Sequence, residues 1–168
     1  ATNHPIDPCD KDAVVALARE VAADLVVVGP EAPLVAGVAD ALRDAGIDCF
    51  GPSAEAARLE GSKAFAKEVM ASAGVPTAAS RSCGDLDSVG AALDELGAPH
   101  VVKDDGLAGG KGVVVTEDRD EALAHAEQCL NSGHQVVIEE YLDGPEVSLF
   151  AICDGERALP MQPAQDFK

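Results

Sequence analysis

The 168-residue chain has no tryptophan, one tyrosine and four phenylalanines, so its core has to come mostly from alanine, valine and leucine. Basic residues are scarce as well: 12 lysines and arginines stand against 30 acidic residues, a formal charge of −18. Nucleic acids and anionic membranes need a basic face, so both are excluded as expected partners. An anionic small molecule would have to be met by locally placed lysines and backbone amides, and the acidic excess reads as a solubilising surface. Cys9, Cys49, Cys83, Cys129 and Cys153 are odd in number, scattered, and contain no C-x-x-C pair. That argues against a disulfide framework or a zinc site and for a reducing cytoplasm. His4, His100, His125 and His134 show no ligand spacing. No apolar run reaches membrane-spanning length and no charged-then-apolar leader opens the chain, so neither insertion nor export is expected.

What is present alternates helical and extended patterns. Residues 10–23 carry Val14, Leu17, Ala18 and Val21 at helical spacing. The apolar run 24–29 reads as a short strand of a parallel sheet covered on both faces. Residues 30–33 read as a turn, 34–45 as a second helix, and 47–50 as the next strand. Helix, strand, helix, strand with short connections is the pattern of a doubly wound α/β layer, in which ligands sit at the carboxyl ends of strands. Gly29, Pro30 and Glu31 occupy such an end. Further on, helices are expected over 62–73, 86–96 and 118–131, and strands over 100–102, 113–115 and 135–139, with 80–87 as loop or edge strand. Asp154-Gly155 predicts a hairpin between 147–153 and 157–161. The second half is therefore α+β, and the boundary is expected between Ala54 and Gly61.

The stretch with the most chemical content is His100–Thr116. Two valine-rich runs flank a loop holding Gly106, Gly109, Gly110 and Gly112, with Lys103 at its entry and Lys111 among the glycines. Successive unencumbered N–H groups beside an ammonium are suited to a phosphate. A Walker A loop is excluded, because only three residues separate Gly106 from Gly110, and Gly112 follows Lys111. A dinucleotide fingerprint fails too, since a strand rather than a helix comes next.

The wider pattern joins this loop to Lys63 behind Glu60-Gly-Ser62, to Glu139-Glu-Tyr-Leu142, and to Glu146 in Asp-Gly-Pro-Glu. It resembles the ATP-grasp superfamily. The resemblance implies that Lys63 and Lys103 contact nucleotide phosphates while the loop of Gly106, Gly109, Gly110, Lys111 and Gly112 closes over them. The backbone around Glu139, Glu140, Tyr141 and Leu142 would meet the adenine edge, and Glu146 the ribose hydroxyls. Residue types and partners match: ammonium ions pair with polyanions, and a carboxylate accepts from adjacent hydroxyls.

Within the superfamily, Val28-Gly-Pro-Glu-Ala-Pro-Leu34, Phe50-Gly-Pro52, Leu59-Glu-Gly-Ser-Lys-Ala-Phe65 and Gln165-Asp-Phe-Lys168 look like the phosphoribosylamine–glycine ligase family. That family condenses 5-phosphoribosylamine with glycine in purine biosynthesis, splitting ATP with magnesium through a glycyl phosphate. The resemblance implies an incomplete Rossmann-like layer over residues 1–58 and the first part of an ATP-grasp domain over 59–168. It implies a substrate pocket at Gly29, Pro30 and Glu31, and substrate contacts from Asp166 and Lys168. The chain is expected to be the middle of a longer enzyme, inactive alone, with the metal ligands outside it. Asp104 stands where the family usually has alanine and would weaken phosphate binding unless it points away. Another ATP-grasp carboxylate ligase, or a non-catalytic nucleotide-binding module, is the alternative reading.

Overall fold

The computed structural model describes residues 1–107 and 112–165. Helix α1 (Lys11–Glu20) starts where Asp10 accepts from the amides of Asp12 and Ala13, each at 3.1 Å. Strand β1 (Val26–Val27) follows, then α2 (Glu31–Val35), α3 (Val38–Asp44) and β2 (Cys49–Phe50). β1 and β2 pair in parallel, with Val26 opposite Cys49 and Val27 opposite Phe50. Ala18, Val38 and Leu42 form the core beneath them, packed by Val14, Val26, Val28 and Ile47.

Three local expectations change here. The strands shorten to two residues each, and Val27 and Phe50 are more than half exposed, so the pair is not covered on both faces. The expected turn at 30–33 is instead the first turn of α2. Pro33 is tolerated there because the first amides of a helix have no intrahelical acceptor. The single helix expected over 34–45 breaks at Gly37, which takes φ +85° while its N–H bonds the Leu34 carbonyl. Gly51 is a second position where glycine is required. Its φ is +151°, and a Cβ there would lie 2.9 Å from Cδ2 of the buried Leu34.

Helix α4 (Ala54–Gly61) is capped by Ser53, whose hydroxyl accepts from the Ala56 amide at 3.2 Å. Ser62, extended at φ −142°, ends α4 and caps α5 (Lys63–Ser72) through the Phe65 amide at 3.1 Å. Next come β3 (Ser80–Cys83), α6 (Leu86–Leu96), β4 (His100–Asp104), β5 (Val113–Thr116), α7 (Arg119–Asn131) and β6 (Val136–Glu139). Their four strands form an antiparallel sheet in the order β3-β6-β4-β5.

Alternation divides that sheet into two faces. Val102, Val136 and Ile138 turn toward α6 and α7 and form the main core with Cys83, Val89, Leu93, Ala122 and Ala126. Lys103 and Glu139 necessarily project from the other face. The chain continues through β7 (Val147–Ser148), β8 (Ala151–Cys153), β9 (Ala158–Pro160) and β10 (Ala164–Gln165). β8 and β9 form the expected hairpin, with Asp154 accepting from the amides of Glu156 and Arg157 at 2.9 and 2.7 Å. The strand expected over 147–153 is split, because β7 pairs with β10 rather than continuing into β8, which pairs with β9.

Candidate functional site

A cleft of about 460 Å³ lies against the sheet face opposite the α6–α7 core. Lys63 and Lys67 reach it from α5, Lys103 from β4 and Glu139 from the end of β6, and Leu59, Met70 and Leu142 supply apolar wall. Strand register accounts for the central pair. Val101 lies opposite Glu139 and Lys103 opposite Val137, so Lys103 and Glu139 are diagonal neighbours on one face.

Glu139 is buried, and its two carboxylate oxygens are divided between two lysines. Oε2 accepts from Lys103 Nζ at 2.5 Å and Oε1 from Lys67 Nζ at 3.0 Å. Burial pushes the carboxyl pKa up, but hydrogen bonds and charge from Lys103 and Lys67 together outweigh it and leave the group below its ordinary value. Glu139 is therefore ionised, and the cleft carries more ammonium than carboxylate charge on an otherwise acidic chain.

Lys63 donates to the Gly106 carbonyl at 2.9 Å, which ties α5 to the start of the glycine loop. Asp105 reinforces this tie by accepting from the Ser62 hydroxyl at 3.0 Å and the Ala64 amide at 2.9 Å. At the other end of the loop the Gly112 carbonyl accepts from the Asp104 amide at 2.7 Å, closing the β4–β5 hairpin. The Asp104 side chain lies on the same face as Val136, away from the cleft, and accepts from His134 Nδ1 at 2.8 Å. Its charge is thus directed away from Lys103, which meets the condition the sequence posed.

The sequence-derived candidates separate into groups. Lys63, Lys103, Glu139 and Leu142 line one cleft, and Gly106 and Gly112 sit at the loop's two roots. Glu140 is tied to the residue just before β3: its amide donates to the Ala79 carbonyl at 2.9 Å and its carboxylate accepts from the Ala79 amide at 3.2 Å. Tyr141 and Glu146 are exposed and are not among the residues lining the cleft. Gly109, Gly110, Lys111, Asp166 and Lys168 lie outside the described residues. Gly29 and Pro30 follow β1, and Glu31 opens α2. A second groove, about 610 Å³, lies at the carboxyl end of β2 and is lined by Phe50, Gly51 and Ser53 with Ala151 and Cys153 of β8; Gly29, Pro30 and Glu31 are not among its lining residues.

Lys67 is the residue that sequence reasoning missed. Its signal was its position four residues after Lys63, on the same helical face, but spacing alone names no partner. Among the described residues no group of three histidine, cysteine or carboxylate side chains is arranged to hold a metal, and no helix is long and apolar enough to cross a membrane.

The chain superposes on a crystal structure of phosphoribosylamine–glycine ligase from Thermotoga maritima with TM-score 0.75 and 27% identity, covering 97% of this chain and 40% of that one. It also matches the biotin carboxylase domain of Hydrogenobacter thermophilus 2-oxoglutarate carboxylase, solved with MgADP and bicarbonate, with TM-score 0.71 and 26% identity over 86% of this chain and 35% of that one. The fold is that of the ATP-grasp ligases. Residues 61–168 match the family model for the phosphoribosylglycinamide synthetase ATP-grasp (A) domain, and residues 1–60 match the N domain of the same family. The chain belongs to the phosphoribosylglycinamide synthetase family. It is 67% identical to a phosphoribosylamine–glycine ligase of Streptomyces coelicolor over 98% of its own length and 39% of that protein's. The chain thus spans about two fifths of the length of the curated relatives it matches.

Proposed function

We propose that these residues form the phosphate-binding part of the nucleotide site in an ATP-dependent ligase that joins glycine to 5-phosphoribosylamine, yielding glycinamide ribonucleotide, ADP and phosphate through glycyl phosphate. The observation that carries this reading is the convergence of Lys63 and Lys103 on one cleft at the root of the glycine loop. Family membership supports the reaction, and the MgADP in the carboxylase structure supports a nucleotide in this fold.

A carboxylate is a poor electrophile, and phosphorylation gives it a leaving group. The demand on the protein is then to position the phosphates, neutralise their charge and exclude water. Lys63 and Lys103 would supply the neutralisation. The loop of Gly106, Gly109, Gly110, Lys111 and Gly112 would cover the phosphates. Glu139, Glu140, Tyr141 and Leu142 would border the adenine, and Glu146 would accept from the ribose. The described residues do not fit a magnesium site by themselves, so no step is assigned to the metal through them. Gly29, Pro30 and Glu31, at the carboxyl end of β1, are assigned to the phosphoribosylamine side, together with Asp166 and Lys168.

Calorimetric titration of the intact protein with ATP tests the reading. Lys103→Ala should weaken binding by about 1.5–3 kcal/mol, the range for a hydrogen bond to a charged group. An unchanged affinity sinks the assignment of Lys103. Glu146→Ala should weaken ATP while sparing inorganic triphosphate, and equal losses for both ligands remove the ribose role. ADP release dependent on both glycine and 5-phosphoribosylamine distinguishes the ligase from a binding module.

A further inference from the structure

We propose that Lys67 is a positioning residue of the nucleotide cleft: it takes no ligand itself, and sets the separation between the helix carrying Lys63 and the strand carrying Lys103 by clamping Glu139. The inference rests on the nucleotide reading of the cleft.

An ammonium has three protons to donate. Lys67 spends them on three protein acceptors, Glu139 Oε1 at 3.0 Å, Thr77 Oγ1 at 2.8 Å and the Ala78 carbonyl at 3.0 Å. Its side chain is 14% exposed, against 28% for Lys103. Lys63 and Lys103 each meet a single protein acceptor among the hydrogen bonds and ion pairs described, so they retain donors for a polyanion.

Helix α5 needs such a clamp because it has no fully buried residue. Polar ties attach it to the sheet region: Ser62, Lys63 and Ala64 to Asp105 and Gly106 at its start, and Lys67 one turn later to Glu139, Thr77 and Ala78. Glu139 is a firm anchor, since its residue pairs with Ser80 of β3 on one side and Val101 of β4 on the other. Once Lys67 holds Oε1, Oε2 is fixed toward Lys103. Removing the Lys67 charge frees the carboxylate to rotate and leaves Lys103 as its only ammonium partner, which draws Lys103 away from any phosphate.

The test is a double-mutant cycle in the intact protein, read as affinity for a non-hydrolysable ATP analogue, with folding followed by circular dichroism. Lys67→Met should weaken binding about tenfold in the parent and no more than about threefold in a Glu139→Gln background, because the clamp then has nothing to hold. Equal losses in both backgrounds overturn the proposal, since Lys67 would then act on the ligand or on the fold at large. No loss from Lys67→Met while Lys103→Ala still weakens binding also overturns it, and leaves the nucleotide reading intact. If Lys103→Ala has no effect either, the nucleotide reading fails and takes this inference with it. Should Lys67→Met not fold, Lys67→Arg decides. It keeps the charge on Glu139, so affinity within threefold of the parent supports the clamp and a tenfold loss refutes it.

Discussion

Burying Glu139 costs solvation that its two lysines offset, so the energetics of this carboxylate depend on its ionisation. Its folded-state pKa lies below the ordinary value because the attraction of Lys103 and Lys67 exceeds the burial penalty. The unfolded chain therefore takes up the proton first as pH falls. The stabilisation is complete above the ordinary carboxylate range, about pH 4.3, and is lost as pH drops through the depressed folded value. Glu139→Gln should cost about 2–3 kcal/mol at pH 7. This is less than the roughly 3–5 kcal/mol typical of breaking a fully buried pair, because Lys103 keeps 28% of its side chain exposed. In denaturant titrations the gap between parent and variant should begin to close as pH falls below about 4.3 and vanish only below the depressed folded value. A gap independent of pH would show that the carboxylate's charge is not what stabilises this region. His100 is also buried, and among the described residues its Nδ1 has no hydrogen-bond partner; it is not among the residues lining the cleft.

The junction of α5 with the β4–β5 hairpin is where a local change should propagate furthest. Asp105 joins them by accepting from Ser62 and Ala64, and its own amide donates to the Gln135 carbonyl at 2.9 Å. Asp105→Ala would strip an acceptor from two donors at the helix start and should cost about 1–2 kcal/mol, as loss of a helix cap does. Thermal unfolding measures the cost. Amide exchange should quicken at Ala64 and Phe65 before it changes in α6, and uniform quickening would refute a local role. Elements like these were legible where sequence marks both ends: α6 runs over the expected Leu86–Leu96, and α5 and α7 fall within the expected 62–73 and 118–131. The break between α2 and α3 was hidden, because Gly37 inside a helical pattern reads as tolerated until its φ is known. The lengths of β1 and β2 were hidden as well, since an apolar run reveals burial preference but not the extent of pairing. In the cleft, Lys63 and Lys103 were legible through their motif neighbours. The Lys67–Glu139 pair was not, because only the tertiary fold brings α5 and the end of β6 together.

Across the molecule two surface properties oppose one another. The charge of −18 keeps copies apart, while the β7–β10 region exposes Val147, Leu149, Phe150, Ile152 and Leu159, each by more than half. β8 and β9 form a sheet of only two strands, an arrangement with little independent stability and with open edges that can template pairing. Charge repulsion is screened over about 10 Å at 0.1 M salt and over about 3 Å at 1 M, whereas apolar attraction is not screened. The 168-residue chain should therefore sediment as a monomer in dilute buffer and associate as salt rises. Substituting Phe150→Lys together with Leu159→Lys discriminates between causes, because it makes the chain less acidic while removing exposed apolar area. If attraction through this surface drives association, the double variant stays monomeric at high salt despite its weaker repulsion. Stronger association than the parent would instead mean that net charge alone governs the behaviour and that the exposed hairpin is not the contact.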